Sequence, residues 1–147
     1  MALNWSLQAE ADADVLQAIR AAVNGHVRGQ AQQGDALPIA CLVRDGDTLI
    51  AGGSGCTEYQ RLFVHCLWVA EGYRGRGIGS RMLRELEAEA VRRGCRDSII
   101  ETLDAAVADL YRRLGYRLVA HLPAYLGSRD RHILLKPNLR PLDTAAP

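Results

Sequence analysis

The sequence predicts a single domain of the α/β (α+β) class, built around a mixed sheet. A turn signature between two apolar runs marks a hairpin in the first half, whereas strand-like and helix-like segments alternate in the second. The length of 147 residues, with 48% apolar and 24% charged side chains, fits one globular unit. A chain of this size buries roughly 70% of its unfolded surface and folds without needing disulfides or a metal. The expected domain is 1–137, followed by a C-terminal tail, 138–147, with prolines that favour fraying.

Leu3–Leu7 alternates apolar and polar residues and is expected to form a short first strand. Ala9–Val27 reads as helix: Val15, Ile19, Ala22 and Val23 repeat at helical spacing, and acidic residues lie near its start, where the helix dipole favours them. Gly25–Gly34 is polar and glutamine-rich, so a loop or a second short helix follows. Ile39–Arg44 and Thr48–Ala51 flank Asp45-Gly46-Asp47, where glycine supplies the positive φ of a tight hairpin turn. Gly52, Gly53 and Gly55 then weaken or bulge the second strand. Leu62–Val69 is apolar except for His65, as expected of a strand covered on both faces. In Ile78–Arg93 the apolar positions Ile78, Met82, Leu83, Leu86 and Ala90 form one helical stripe, ended by Gly94. Ser98–Leu103 is a strand, Ala105–Leu114 a helix closed by Gly115, and Tyr116–Ala120 a further strand. Pro123–Arg131 is an Arg-bearing loop before the last strand, His132–Lys136.

Eighteen basic residues against seventeen acidic ones leave a net charge of +1, so no global field draws the chain to nucleic acid or membrane. No apolar run approaches a membrane span, and the first residues lack the basic flank and apolar core of a signal peptide, so a cytoplasmic protein is expected. Cys41, Cys56, Cys66 and Cys95 form no C-x-x-C pair and no zinc-like spacing with histidine. They are expected to be reduced thiols buried as small hydrophobes, and no metal is expected.

The chemistry concentrates in Arg74-Gly75-Arg76-Gly77-Ile78-Gly79-Ser80, between a strand and a helix. Alternating glycines let the backbone turn its N–H groups into one concavity, and the helix start adds unpaired N–H groups and partial positive charge. With two arginine heads alongside, this is a phosphate cradle. The absence of Gly-Lys-Ser/Thr excludes a nucleoside-triphosphate P-loop. The dinucleotide fingerprint also fails, since Ser80 and Met82 fall where its third glycine belongs. What the loop contains is R-x-x-G-x-G, as Arg74, Gly77 and Gly79.

That motif, the preceding Leu67-Trp68-Val69, the helix after it and the segment Leu110-Tyr111-Arg112-Arg113-Leu114-Gly115-Tyr116 together resemble the GNAT superfamily of acetyl-CoA-dependent N-acetyltransferases. The resemblance covers most of the chain, from the Asp45-Gly46 hairpin to Lys136. It implies a mostly antiparallel mixed sheet whose two central strands, Leu62–Val69 and Ser98–Leu103, run parallel and splay apart, with helices flanking. It also implies that Leu67, Trp68 and Val69 contact the pantetheine arm as an added strand would. The amides of Arg74, Gly75, Arg76, Gly77, Ile78, Gly79 and Ser80 would hold the pyrophosphate. Asp104 stands where the family often has an asparagine at the cofactor. It cannot donate an amide proton, and it can instead cap the helix that follows. Tyr111 matches the tyrosine that protonates the departing thiolate in many members. Val107, Leu110, Tyr111 and Leu114 also form a helical stripe, which leaves a core role open for it.

The implied reaction is direct attack of a primary amine of a small molecule or peptide on acetyl-CoA in a ternary complex. The attacking amine must first lose a proton. Phe63 and Ile99 occupy the positions where some members carry a glutamate. His65 and Glu101 lie two residues on, on the same faces of their strands, and are candidate bases; a water chain is the alternative. Acceptor recognition is assigned to Ala22–Gly34, the Gly52–Gln60 turn and Pro123–Arg131, whose arginines suit a carboxylate or phosphate. The absence of an acid at positions 63 and 99 keeps a non-catalytic acyl-CoA-binding or sensing module as the alternative function. A nucleic-acid patch of Arg74, Arg76, Arg81 and Arg84 is opposed by Glu85, Glu87 and Glu89 on the same helix. Members of the superfamily are often dimers, which makes a homodimer possible here.

Overall fold

The computed structural model divides the chain into two units, Met1–Gly34 and Asp35–Pro147. It describes residues 3–31 of the first and 36–140 of the second. In the first unit, residues 3–8 take no regular structure, so the expected strand Leu3–Leu7 does not form. Three alternating apolar residues do not make a strand without a partner to complete the ladder. Helix α1 runs Ala13–Ala31, starting later and ending later than its periodicity suggests. Its start is fixed by Asp12, whose carboxylate accepts the Asp14 and Val15 amides at 2.8 and 3.4 Å. Gly25 and Gly29 continue the helix instead of opening a loop, since an interior glycine weakens a helix by only about 1 kcal/mol. Residues 32–34 of the expected polar segment lie outside the described residues.

The second unit runs β1 (Leu37–Asp45), β2 (Thr48–Glu58), β3 (Arg61–Val69), a single 3-10 turn at Glu71–Tyr73, α2 (Ile78–Arg92), β4 (Asp97–Thr102), α3 (Ala105–Arg113), β5 (Arg117–Leu126) and β6 (Arg129–Lys136). The six strands form one open sheet in the order β1-β2-β3-β4-β6-β5. Every neighbouring pair is antiparallel except β3 and β4. The mixed sheet with one central parallel pair and flanking helices is the predicted class.

β2 is longer than predicted because its glycines stay in the ladder. Its register slips opposite Ser54 and Gly55, which face Cys66 and Val64, so His65 is the extra residue of a bulge in β3. Only glycine fits there: a Cβ on Gly55 would lie 1.8 Å from the Phe63 carbonyl oxygen. The bulge resets the alternation of β3. Before it Leu62 and Val64 are buried; after it Leu67 packs against the core while Cys66 and Trp68 are exposed. Cys66 therefore departs from the buried thiol expected of it, whereas Cys95 fulfils that expectation.

β3 and β4 pair only from Arg61↔Asp97 to Val64↔Ile100, although β3 continues to Val69 and β4 to Thr102. Beyond the bulge the two strands separate, as the resemblance implied. At the other end of the chain, the expected loop Pro123–Arg131 is mostly strand. β5 and β6 form a hairpin turning at Gly127 and Ser128, with irregular pairing between Leu122 and Leu126. Pro123 is tolerated because β5 is an edge strand, where a missing N–H breaks no second ladder.

One hydrophobic cluster joins the sheet to α2 and α3. Leu62, Val64, Ile100 and Leu134 come from the strands, Leu83, Leu86 and Ala90 from α2, and Ala108 and Tyr111 from α3. Each buried leucine contributes about 2 kcal/mol by removal from water. A buried polar network runs through this core. The Tyr116 hydroxyl donates to Glu87 at 2.8 Å and accepts from Ser98 at 2.9 Å, and Lys136 pairs with Glu87 at 2.7 Å. Burial first, and then the Glu87 carboxylate, push the Tyr116 phenol far above its usual value. Past β6 the Leu139 amide bonds the Arg96 carbonyl at 2.8 Å and its side chain packs on the core. Residues 141–147 of the expected tail lie outside the described residues.

Candidate functional site

The loop from Tyr73 to Ser80 is shaped by its glycines. Gly75 and Gly77 have φ of +73° and +75°, a left-handed conformation that a Cβ disfavours. Gly77 is the N-cap of α2, and no side chain caps it. The Arg81 amide makes the first helical bond, to the Gly77 carbonyl, so the N–H groups of Ile78, Gly79 and Ser80 have no helical acceptor. Unpaired donors at the positive end of a helix suit an anion.

Both arginine heads turn back onto the loop. Arg74 Nε donates to the Val69 carbonyl at 2.9 Å, and Arg76 donates to the Gly72 carbonyl at 3.0 Å with its guanidinium 5.3 Å from the centre of the Tyr73 ring. The Tyr73 hydroxyl in turn donates to Asp45 at 2.5 Å, tying this loop to the β1–β2 hairpin. The arginine heads that the sequence sets alongside the cradle thus brace the backbone carbonyls of the loop. They do so because carbonyls at a tight turn lack ladder partners, and a guanidinium has donors to spare.

A cavity of about 420 Å³ opens over this loop. Of the predicted cofactor residues, Leu67, Val69, Arg74, Gly75, Gly77, Ile78, Gly79 and Ser80 line it; Trp68, Arg76 and Asp104 do not. Helix α3 lines it as well, through Val107, Leu110 and Tyr111, with Leu114 at its C-cap. The sequence shows that wall as a helical stripe and gives a site role to Tyr111 alone within it. Tyr73 carried no sequence signal at all. Asp104 caps α3 instead, its carboxylate accepting the Ala106 and Val107 amides at 2.8 and 3.3 Å. A second cavity, about 380 Å³, fills the gap between the separated ends of β3 and β4. It is lined by His65, Cys66, Trp68, Glu101 and Thr102 among others, and it shares Leu67, Val107 and Tyr111 with the first. Tyr111 therefore stands where the two meet. It is 6% exposed, and burial raises its phenol above the usual value, so the hydroxyl keeps its proton at neutral pH.

The two candidate bases both line that gap. His65 sits in the bulge, its Nε2 3.9 Å from the Cys56 sulfur. Glu101 pairs with Arg131 of β6, and the same guanidinium bonds the Tyr125 hydroxyl. His65, Glu101, Thr102, Tyr125 and Arg131 line a third depression, of about 310 Å³. Further along the hairpin, Asp130 accepts the Ala124 amide at 2.9 Å and pairs with His121 at 2.8 Å. The Ala124 amide first, and then His121, hold its carboxyl below the usual value. No group of His, Cys, Asp and Glu among the described residues has a metal-holding arrangement, and no described helix is long and apolar enough to cross a membrane.

The family model described as acetyltransferase (GNAT) family matches residues 8–116. A blasticidin-S acetyltransferase of Streptomyces morookaense is 43% identical over 89 residues, covering 59% of this chain and 65% of that protein, just under two thirds of its length. An acetyltransferase of Agrobacterium fabrum is 31% identical over 121 residues, covering 82% of this chain and 88% of the relative. Among solved structures, a protein of Agrobacterium tumefaciens superposes with a TM-score of 0.82 at 28% identity, covering 92% of this chain and 99% of its own.

Proposed function

Because this chain belongs to the GNAT family of acetyltransferases, we propose that it moves the acetyl group of acetyl-CoA to a primary amine by direct attack in a ternary complex. The observation that carries this reading is the meeting of two cavities at Tyr111: one runs over an uncapped helix N-terminus, the other through the gap between β3 and β4. A phosphate-bearing cofactor suits the first and an acceptor amine the second. The acceptor is a small molecule, a class that the blasticidin-S acetyltransferase also represents.

On this reading the amides from Gly77 to Ser80 hold the pyrophosphate, and the open edge of β3 beside Leu67 and Val69 aligns the pantetheine arm. The amine nitrogen forms a bond to the acetyl carbon as the carbon–sulfur bond breaks. The acceptor's ammonium has first given a proton to Glu101, His65 or water; Tyr111 then gives its proton to the departing sulfur and recovers, through water, the proton shed by the newly acylated nitrogen. Charge thus appears on the thiolate beside a phenol that burial keeps protonated.

Calorimetric titration with acetyl-CoA tests the cradle, with AMP and free pantetheine as controls. One-site binding much tighter than either fragment is expected. No binding at millimolar acetyl-CoA would remove the cofactor assignment and the reaction with it.

A further inference from the structure

We propose that the acceptor is an amine that also carries a carboxylate, recognised by the Glu101–Arg131 pair at the mouth of the β3–β4 gap; this rests on the acetyl-transfer reading above. Arg131 comes from β6 and Glu101 from β4, and their side chains are 32% and 35% exposed, so a solute can reach both. The depression they line shares His65, Glu101 and Thr102 with the gap that leads to Tyr111. An amine placed there lies on the path to the acetyl carbon.

The charges lining these two cavities point to the acceptor's own. Together they carry one carboxylate, one guanidinium and one imidazole. A polycationic acceptor calls for several acids at the mouth, and among the described residues Glu101 stands there alone. A zwitterion matches what is present. Arg131 is held ready for it: its guanidinium bonds the Tyr125 hydroxyl and lies 4.6 Å from the centre of that ring. A planar guanidinium fixed in this way accepts a carboxylate as a two-pronged pair. The acceptor's carboxylate takes the place of Glu101 on Arg131, and the released Glu101 turns to the acceptor's ammonium. One ion pair becomes two, with no change in the net charge of the site. A simple amine gains only the second of these contacts, and its amide-bearing analogue cannot form the paired contact to Arg131.

Matched acceptors test this directly: 5-aminovalerate against 5-aminovaleramide, and ornithine against ornithinamide, each with the wild type and Arg131→Gln. The wild type is expected to favour the acid over the amide by about tenfold or more in kcat/KM. Arg131→Gln is expected to bring each ratio close to one, and Arg131→Lys to keep part of the preference. Acetyl-CoA affinity, measured by calorimetry on every variant, should stay unchanged and so report intact folding. Equal use of acid and amide by the wild type overturns the inference, as does a preference that survives Arg131→Gln; in both cases acetyl transfer itself stands. Acetyl-CoA binding with no transfer to any of the four acceptors overturns both readings together.

Discussion

Replacing Tyr111 by phenylalanine separates its two roles, because the ring and the hydroxyl do different things. The ring belongs to the buried cluster and lies 6.0 Å from that of Tyr116, tilted at 52°. Phenylalanine keeps the ring at a site 6% exposed, so stability should change by less than about 1.5 kcal/mol. Alanine at the same place would cost about 3–5 kcal/mol. The hydroxyl is the proton source for the departing thiolate, and loss of a positioned acid slows turnover by about 100-fold, or about 2.7 kcal/mol of barrier. The Michaelis constant for acetyl-CoA should hold, since the amides that bind its phosphates are untouched. The pH profile adds an independent sign. An acid works only while protonated, and burial raises this phenol, so the wild-type alkaline limb due to it lies above the ordinary tyrosine range. Tyr111→Phe should lack that limb. Steady-state kinetics from neutral to strongly alkaline pH reads both effects. A variant within about threefold of wild type, with the limb still present, would reduce Tyr111 to a wall of the cavity.

Three other substitutions probe separate parts of the molecule. Gly77→Ala forces a Cβ into a φ of +75°, costing about 1–2 kcal/mol, and so strains the backbone that turns the cradle amides inward. Calorimetry should show acetyl-CoA binding weakened about tenfold or more, and an unchanged affinity would move the phosphates off this loop. Tyr116→Phe leaves Ser98 and Glu87 each short of a buried partner, at a cost of about 1–3 kcal/mol in urea unfolding. A shift below about 0.5 kcal/mol would mean that the network adds little. Asp130 has a carboxyl depressed in the folded state, so its contribution to stability is present above its unfolded pKa and is lost as pH falls through the folded one. Asp130→Asn should therefore lower the melting temperature near neutral pH but not in strong acid; an equal difference at both would show that the carboxylate charge is not involved.

The hairpin, the strand-to-helix loop and the amphipathic faces of α2 and α3 were legible in the sequence because each is written locally. Asp45-Gly46 carries its own turn, Gly75 and Gly77 their own positive φ, and Met82, Leu83 and Leu86 their own period. The same locality explains the misreadings. Leu3–Leu7 has a strand's alternation, but alternation supplies no partner strand. Pro123 has a loop's composition, but the strand β5 continues past it to Leu126, and only Gly127 and Ser128 turn. The stripe Val107–Leu114 is apolar whether it faces a core or a cavity, and only the separation of β3 from β4 makes it a wall of the site.

What the sequence determined by itself is the backbone chemistry of the cradle, since glycine spacing and a helix start suffice to turn amides inward. Tertiary structure alone decided which charged groups share the acceptor's mouth. Glu101 and Arg131 stand thirty residues apart and meet because β6 runs beside β4. His65 owes its place to a bulge that Gly55, on the neighbouring strand, makes room for. Period and propensity act over a few residues, whereas a site assembled across strands depends on register, and register is fixed only when the sheet closes on its core.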